Sequence, residues 1–328
     1  MAPEVLKADP HEYASYDELL EDYYERGWTD GLPVVAPTPE KVAAFVAATG
    51  LGAADVLGEV PTREVVVTAE QAAINAVMSG CKAEYMPAVV AAVRAHLHEM
   101  GNCHSTTGTL SGAAQAVIVN GPIRGEIGIE CGAGCFGPGF RANATIGRAL
   151  RLVIRNVCRA IPGVLDRASF STPMRYQFCF GEDEEANDWT PMHVERGLVA
   201  EDSAVTVASV MSLMSATDFT SRTPEAICDT IVAVILSKFV ATDRWLGDGT
   251  NLVLVVGPEH RRFFDRAGWS KDDIRSYVWP RLHGDDGRKL TGLGRPEGLL
   301  IVAAGGDGMG ESWLLFPHLA WAITQKID

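Results

Sequence analysis

The sequence predicts an α/β protein: a layered mixed sheet with a helical N-terminal region and two related lobes. Helical patterns dominate the first hundred residues, and strand and helix patterns alternate from residue 116 onwards. Both halves of that alternating part combine a buried strand with a Gly-rich loop. We predict a helical region at 1–115, an α/β core at 116–220 and a C-terminal α/β lobe at 221–328, with one continuous domain as the alternative.

Helix caps are the main evidence for the predicted helices of the N-terminal region. Thr38 precedes Pro39 and Glu40, and Gly50 ends that helix, while Thr68 and Gln71 have capping-box spacing. The predicted elements of this region are helices at 16–26, 39–49, 72–78 and 86–98 and a short strand at 65–67.

Runs of branched apolar residues predict the later strands, and caps predict the helices between them. The predicted strands are 116–119, 176–180, 205–210, 252–256 and 299–302. The predicted helices are 141–159 and those that begin near 223, 258 and 270. Trp313, Phe316 and Trp321 are expected to pack the C-terminus or a subunit interface.

Composition excludes several classes of protein. The formal net charge of −14 opposes non-specific binding to nucleic acid or to an anionic membrane. No basic segment followed by an apolar run opens the chain, and the apolar stretch 227–240 is interrupted by polar residues. We therefore expect a cytoplasmic protein that binds neither nucleic acid nor membrane.

A glycine-rich loop at 130–139 contains Cys131 and Cys135 and leads directly into the predicted helix at 141–159. Glycines and a helix N-terminus together can present backbone N–H groups to an anion. The predicted substrate-binding residues are Gly137, Gly139, Arg141 and Asn143, with Arg141 gripping a carboxylate. The alternative is a tight strand-to-helix connection.

The same helix has five arginines on one face, and they are Arg141, Arg148, Arg151, Arg155 and Arg159. This stripe is expected to be solvated or paired with the acidic run 182–185. A docking site for an acidic partner is the functional alternative.

The seven cysteines are scattered, which argues against a disulfide framework. Cys158, Cys179 and Cys228 are interpreted as core residues. A thiol near a helix N-terminus and an arginine favours the thiolate, so Cys81 or the Cys131/Cys135 pair is a candidate nucleophile. A site for a transition metal or an Fe–S cluster is the alternative, with Cys103, His104, Cys131 and Cys135 as ligands.

Two further segments are dense in reactive groups. The turn at 79–87 contains Cys81 and Glu84, and its alternative is a surface corner. His193 and Glu195 are two residues apart, which in an extended strand places both on one side, as a general acid–base pair would require. An ordinary solvent-facing pair is the alternative there.

Standard nucleotide-binding and hydrolase motifs are absent, and the Gly-rich segment 305–310 does not match the dinucleotide fingerprint. Since that segment follows a buried strand, it is expected to form one wall of a cleft.

The chain resembles a family of uncharacterised bacterial proteins. The segments that carry the resemblance are GWTDGLPVV at 27–35, AINAVMSGC at 73–81, NGPI at 120–123, RANATIGR at 141–148, HVERG at 193–197 and GWSK at 268–271. The resemblance implies no activity. Its members look like companions of small proteins with a thiol or selenol motif, and Cys131 and Cys135 lie outside the family pattern.

The leading functional hypothesis is an enzyme that acts on a small anionic, carboxylate-bearing metabolite by thiolate or acid–base chemistry, as a lyase or transferase. Its expected catalytic residues are Cys81, Glu84, Cys131, Cys135, His193 and Glu195. The alternatives are a metal- or Fe–S-binding protein and a non-catalytic subunit of a complex. A homo-oligomer or a partner subunit is expected.

Overall fold

The computed structural model describes residues 6–186, 188–239, 250–283 and 293–328. Residues 1–5 of the predicted helical region, and 240–249 and 284–292 of the predicted C-terminal lobe, lie outside the described residues. The α/β class is confirmed, with one curled mixed sheet and helices packed on it. In these described ranges, no helix has both the length and the apolar content that crossing a bilayer requires.

The N-terminal region forms mostly where local signals place its helices. Thr68 and Gln71 make the predicted capping box, and Thr38 caps its helix through its side chain. Strand β1 and helix α5 were not predicted. The elements are α1 Tyr16–Glu25, α2 Pro39–Ala47, β1 Val56–Val60, β2 Val65–Thr68, α3 Ala69–Ser79, α4 Met86–Leu97 and α5 Cys103–Thr107, and β1 pairs antiparallel with β2.

The rest of the chain alternates strands and helices as predicted. Its first part contains β3 Ala114–Asn120, α6 Ile123–Ile127, α7 Arg141–Asn156, β4 Cys179–Gly181, α8 Met192–Glu195 and β5 Ala204–Thr217. Its second part contains α9 Pro224–Phe239, β6 Leu252–Val256, α10 Pro258–Ala267, α11 Lys271–Arg281, β7 Leu299–Ala303, β8 Glu311–Pro317 and β9 Ile323–Lys326. The short helices α6 and α8 and the strands β8 and β9 were not predicted.

The sheet repeats one arrangement twice. Its strand order is β4-β3-β5-β8-β6-β7, with β9 also beside β5. In the first lobe, β3 pairs parallel with β4 and antiparallel with β5. In the second lobe, β6 pairs parallel with β7 and antiparallel with β8. The lobes join where β5 pairs antiparallel with β8, so one sheet runs through both.

Alternation along the strands divides the core into three layers. Val117 and Val119 of β3 pack in an outer core with α3, α4 and α7, and Leu254 of β6 packs in a second outer core with α9, α10 and α11. Ile118 and Val255 face the other way and share a single inner cluster. The sheet is therefore curled so that the inner faces of the two lobes pack against each other.

The curl brings the two edge strands together at their carboxyl ends. The Asp183 N–H donates to the Ala303 carbonyl, and the Gly305 N–H donates to the Cys131 carbonyl, both at 2.8 Å. We call this line of contact the seam. It joins the glycine-rich loop of the first lobe to the loop after β7.

A Gly-Pro pair follows the first strand of each lobe, at Gly121-Pro122 after β3 and at Gly257-Pro258 after β6. A Cβ atom on Gly121 would lie 2.1 Å from the Asp202 carbonyl oxygen, and one on Gly257 would lie 2.2 Å from the Glu311 carbonyl oxygen. Only glycine allows the backbone segments to approach this closely. The repeated pair was available in the sequence as a signal of the duplicated arrangement.

Candidate functional site

The glycine-rich loop is positioned by Asn143 of α7. Its Oδ1 accepts from the Glu130 N–H at 2.9 Å, and its Nδ2 donates to the carbonyls of Glu130 at 3.0 Å and Cys135 at 3.2 Å. The side chain is fully buried. Both polar atoms of the Asn143 amide therefore form hydrogen bonds to the loop. Asn143 positions the loop, and its predicted role as a substrate contact is corrected.

Arg141 also bonds within the chain. Its Nε donates to the Gly80 carbonyl at 3.0 Å, and its Nη2 donates to the Cys81 carbonyl at 3.3 Å. Gly137 and Gly139 are left without the arginine and amide that were expected to complete their anion site. Arg141 instead ties α7 to the turn after α3.

The predicted nucleophiles are neutral thiols. Burial raises the pKa of Cys81 in spite of Arg141, which lowers it. Burial and then Asp183 raise the pKa of half-buried Cys131, and burial raises the pKa of Cys135 to about 12. The thiolate is therefore not favoured at these three positions, because loss of hydration disfavours the charged form more than the nearby positive groups favour it.

Cys103 differs from these thiols because its pKa is lowered. A hydrogen bond with the neighbouring Cys158 thiol lowers the pKa of Cys103 against the effect of burial, and His96 and Arg63 contribute to the lowering. The Arg63 Nη1 donates to the Cys158 carbonyl at 2.7 Å. The interpretation of Cys158 as an ordinary core residue missed this thiol pair, because the two cysteines are 55 positions apart in the sequence.

The predicted metal ligands do not assemble. Cys103 lies beside Cys158, whereas the ring of His104 shares a 2.9 Å hydrogen bond with Thr62. Cys131 lies at the seam. Across the described parts of the chain, no group of three or more His, Cys, Asp or Glu side chains is placed to hold a metal ion.

The turn at 79–87 does not form a reactive group either. The Cys81 thiol is buried, whereas Glu84 is exposed and pairs with Lys82 at 3.0 Å. The structure therefore supports the surface-corner alternative for Glu84.

His193 and Glu195 lie in the short helix α8 and not in the extended conformation that would place both side chains on one side. Pro191 occupies the N-cap, and a helix turns successive side chains so that residues two apart point in different directions. His193 is fully buried, with its Nδ1 3.9 Å from Glu184 Oε1. Glu195 instead receives a 2.8 Å hydrogen bond from Arg275. The two side chains therefore do not form an acid–base pair.

A buried charged cluster lies at the carboxyl ends of β3 and β4. Glu182 accepts from Lys271 Nζ at 2.9 Å and from Asn120 Nδ2 at 2.6 Å, and Arg124 pairs with Glu184 at 3.2 Å and with Glu185 at 2.7 Å. The arginine stripe was expected to be solvated or to pair with the acidic run. The acidic run pairs instead with Arg124 and Lys271. Three segments that carry the family resemblance, 120–123, 193–197 and 268–271, contribute residues here.

The arginine stripe binds the segment that follows α1. Arg148 makes two hydrogen bonds to the Asp30 carboxylate, both at 2.8 Å, and Arg155 Nε donates to the Gly27 carbonyl at 3.0 Å. Arg148 and the Nε of Arg155 are therefore engaged within the chain, and the docking of an acidic partner stays a hypothesis.

Three arginines line a cavity of about 420 Å³ between α7 and residues 160–176, which we call the arginine pocket. Arg151 donates to the Gln115 amide oxygen and, at 3.1 Å, to the Arg175 carbonyl. Arg175 pairs with Asp166 at 2.5 Å. Arg155 forms a further part of the wall, and Phe170, 98% exposed, stands at the rim.

The arginine pocket has an excess of positive charge. Its two lining carboxylates are Asp166, which pairs with Arg175, and Asp30, which Arg148 binds and whose charge also acts on Arg155. Three lining guanidinium groups therefore outnumber two carboxylates. Burial, followed by the charge of Arg175, lowers the pKa of Arg151 to about 9. The Arg151 guanidinium is therefore held away from water beside a second positive charge.

Buried polar atoms around the arginine pocket also lack partners. Within the described residues, Thr172 Oγ1, Arg175 Nε and Gln115 Nε2 make no hydrogen bond. Ser171, another lining residue, has a φ of 72°, in the left-handed region that favours glycine. Unsatisfied buried groups and backbone strain are features that cluster at binding sites.

A second cavity of about 430 Å³ opens at the seam, and we call it the seam pocket. The glycine-rich segment 305–309 forms one wall, as expected from the sequence, and Cys135 and Phe136 form the opposite one. Trp313 and Glu311 of β8 also line it.

The largest of the three cavities, about 680 Å³, lies under the N-terminal segment. Tyr13, Tyr23 and Trp28 line it, and its buried carboxylate, Glu70, already accepts from the N–H groups of Lys7 and Ala8. Leu6 also lines this cavity.

The fold and these cavities define the chain as an α/β protein with a duplicated, curled sheet and a cationic pocket. No family model matches it, and no curated protein or solved structure matches it either. The family resemblance therefore stays a prediction.

Proposed function

We propose that the protein is an enzyme acting on a small anionic metabolite, whose carboxylate or phosphate group binds in the arginine pocket. The observation that carries this proposal is the excess of guanidinium groups in the pocket wall, where Arg151, Arg155 and Arg175 outnumber the carboxylates of Asp30 and Asp166. Guanidinium groups bind carboxylates and phosphates through strong, charge-assisted hydrogen bonds. The cavity volume of about 420 Å³ is within the range of small-molecule sites.

The terminal nitrogens of Arg155 are well suited to reach a ligand. Within the described residues, its only hydrogen bond runs from Nε to the Gly27 carbonyl, which leaves both terminal nitrogens free to donate. Phe170 and Tyr176 at the rim add aromatic surface for the remainder of the ligand. We therefore expect a ligand with an anionic group and an adjoining apolar part.

The proposed chemistry is acid–base chemistry of the lyase or transferase type. The neutral state of Cys81, Cys131 and Cys135 disfavours the thiolate alternative, and Asp166 and Tyr176 are titratable groups in the pocket wall. A cytoplasmic location and a homo-oligomeric state, both expected from the sequence, remain part of this proposal.

Isothermal titration calorimetry with inorganic phosphate and with citrate tests the binding step. The Arg155→Gln variant should bind the better probe at least about tenfold more weakly, which corresponds to about 1.4 kcal/mol. Arg167→Gln is the matched control, because Arg167 is exposed and lies outside the pocket wall. Equal affinity in the Arg155→Gln variant, or no binding of either probe, would contradict the proposal.

The catalytic step has its own experiment. A mixture of small carboxylates and phosphate esters is incubated with the wild type and with Arg155→Gln, and mass spectrometry follows each compound. One compound should be consumed by the wild type and by Arg167→Gln but not by Arg155→Gln. If the protein binds anions but consumes no compound, it is a binding protein and the proposal that it is an enzyme is refuted.

A further inference from the structure

The seam pocket contains a carboxylate without a partner. Glu311 is the first residue of β8, and the alternation along a strand places it on the same face as Trp313 and Leu315, which pack in the inner cluster. Glu311 lines the pocket. Its carboxylate forms no hydrogen bond and no ion pair with the described residues, so none of them balances its charge by direct contact.

Two aromatic rings lie in the wall with this carboxylate. The ring centroids of Phe136 and Trp313 are 6.2 Å apart, and the rings are nearly perpendicular at 73°. Phe136 also packs edge-on against Phe178 at 5.1 Å and Phe180 at 4.7 Å, which fixes its orientation. Aromatic faces beside a carboxylate attract a cation through the ring quadrupole and through direct charge.

The surroundings of the pocket add further negative charge. Glu259 uses its Oε1 to accept from the Gly308 N–H at 2.6 Å, and its Oε2 is buried without a partner. Asp307 also lines the pocket but pairs with Arg262 on the exposed side. The unbalanced charge of the seam pocket is therefore negative, the opposite of the arginine pocket.

The seam pocket lies at the carboxyl ends of β6 and β7, where parallel strands commonly hold ligands. Elsewhere in this protein, at the carboxyl end of β4, the buried carboxylate of Glu182 binds the ammonium group of Lys271 at 2.9 Å. A carboxylate beside a strand end of this sheet thus already binds an ammonium group within the chain.

We propose that the seam pocket binds an organic amine, with the ammonium group at Glu311 and the carbon skeleton against Phe136 and Trp313. The neutral thiol of Cys135 lies in the same wall and adds no competing charge, because burial raises its pKa. This site is separate from the arginine pocket and does not depend on the proposed function.

Calorimetry with 2-phenylethylamine and its neutral isostere 2-phenylethanol tests the proposal. The amine should bind the wild type more tightly than the alcohol does. Glu311→Gln should weaken amine binding at least about tenfold, a change of about 1.4 kcal/mol, and leave alcohol binding unchanged. Glu201→Gln, at an exposed carboxylate outside the pocket, should change neither.

A second variant separates the aromatic contribution from the charge. Phe136→Leu should weaken both the amine and the alcohol, and circular dichroism should show that the variant is folded. Equal amine affinity in the wild type and Glu311→Gln, equal affinity of the alcohol and the amine in the wild type, or no amine binding at millimolar concentration would each overturn the proposal. Phosphate binding by Glu311→Gln should equal that of the wild type, so failure here is distinguishable from failure of the arginine pocket.

Discussion

Replacing Lys271 with methionine should lower the free energy of unfolding by about 3–5 kcal/mol. Lys271 belongs to α11 of the second lobe, and its ammonium group meets Glu182 of the first lobe at 2.9 Å, with each side chain only 3% exposed. In the variant, Glu182 would retain the Asn120 amide at 2.6 Å and the Met192 N–H at 2.8 Å. Two neutral donors do not compensate a carboxylate held away from water.

Urea unfolding followed by circular dichroism gives the free energy directly. Lys82→Met is the matched control, because Lys82 and Glu84 are 3.0 Å apart but 47% and 57% exposed, and little change is expected there. Adding Glu182→Gln to Lys271→Met should recover part of the lost stability, because no buried charge remains unpaired. A loss in Lys271→Met as small as that in Lys82→Met would refute the reasoning.

Two further predictions concern α7 and the thiols. Arg148→Met should lower the free energy of unfolding by about 2 kcal/mol, because it removes a charge-assisted pair with Asp30. Limited proteolysis should then cut residues 27–33 faster than in the wild type. Unchanged cleavage would count against the assigned contact. Cys135 has a folded-state pKa of about 12 against an ordinary 9.0, so the unfolded state loses the thiol proton first and stability falls as the pH rises above 9. Between pH 7 and pH 10 the wild type should lose about 1.4 kcal/mol more than Cys135→Ala, and equal losses in urea unfolding at the two pH values would contradict the buried thiol.

Helix ends were predictable because their signals are local. The capping box of Thr68 and Gln71, and the cap formed by Ser270, lie within four residues of the hydrogen bonds they make. The strands β8 and β9 were missed because they are defined by pairing with β5, about a hundred residues earlier. The aromatic residues of β8 were correctly expected to pack, but alternation alone did not identify their strand.

The candidate site also depends on contacts between residues far apart in the sequence, which local patterns do not predict. The partner of Arg148 is Asp30, 118 positions away, and no spacing rule connects them. The thiols of Cys81 and Cys135 were misjudged because the pKa depends on burial, which the flanking glycines do not reveal. The spacing of His193 and Glu195 brings their side chains to one side only in an extended strand, and the sequence does not show whether these residues are extended or helical.

The pairing of β9 with the first half of β5 has a consequence for the order of folding. Residues 204–207 of β5 receive one of their two neighbours from residues 323–326, near the end of the chain. More than a hundred residues separate the two strands, and pairing across so many residues is slow. In a folding intermediate in which residues 323–326 have not yet docked, this part of β5 is an open edge that can pair with another chain. Substitutions that weaken the pairing of β9 with β5 should therefore promote aggregation during refolding.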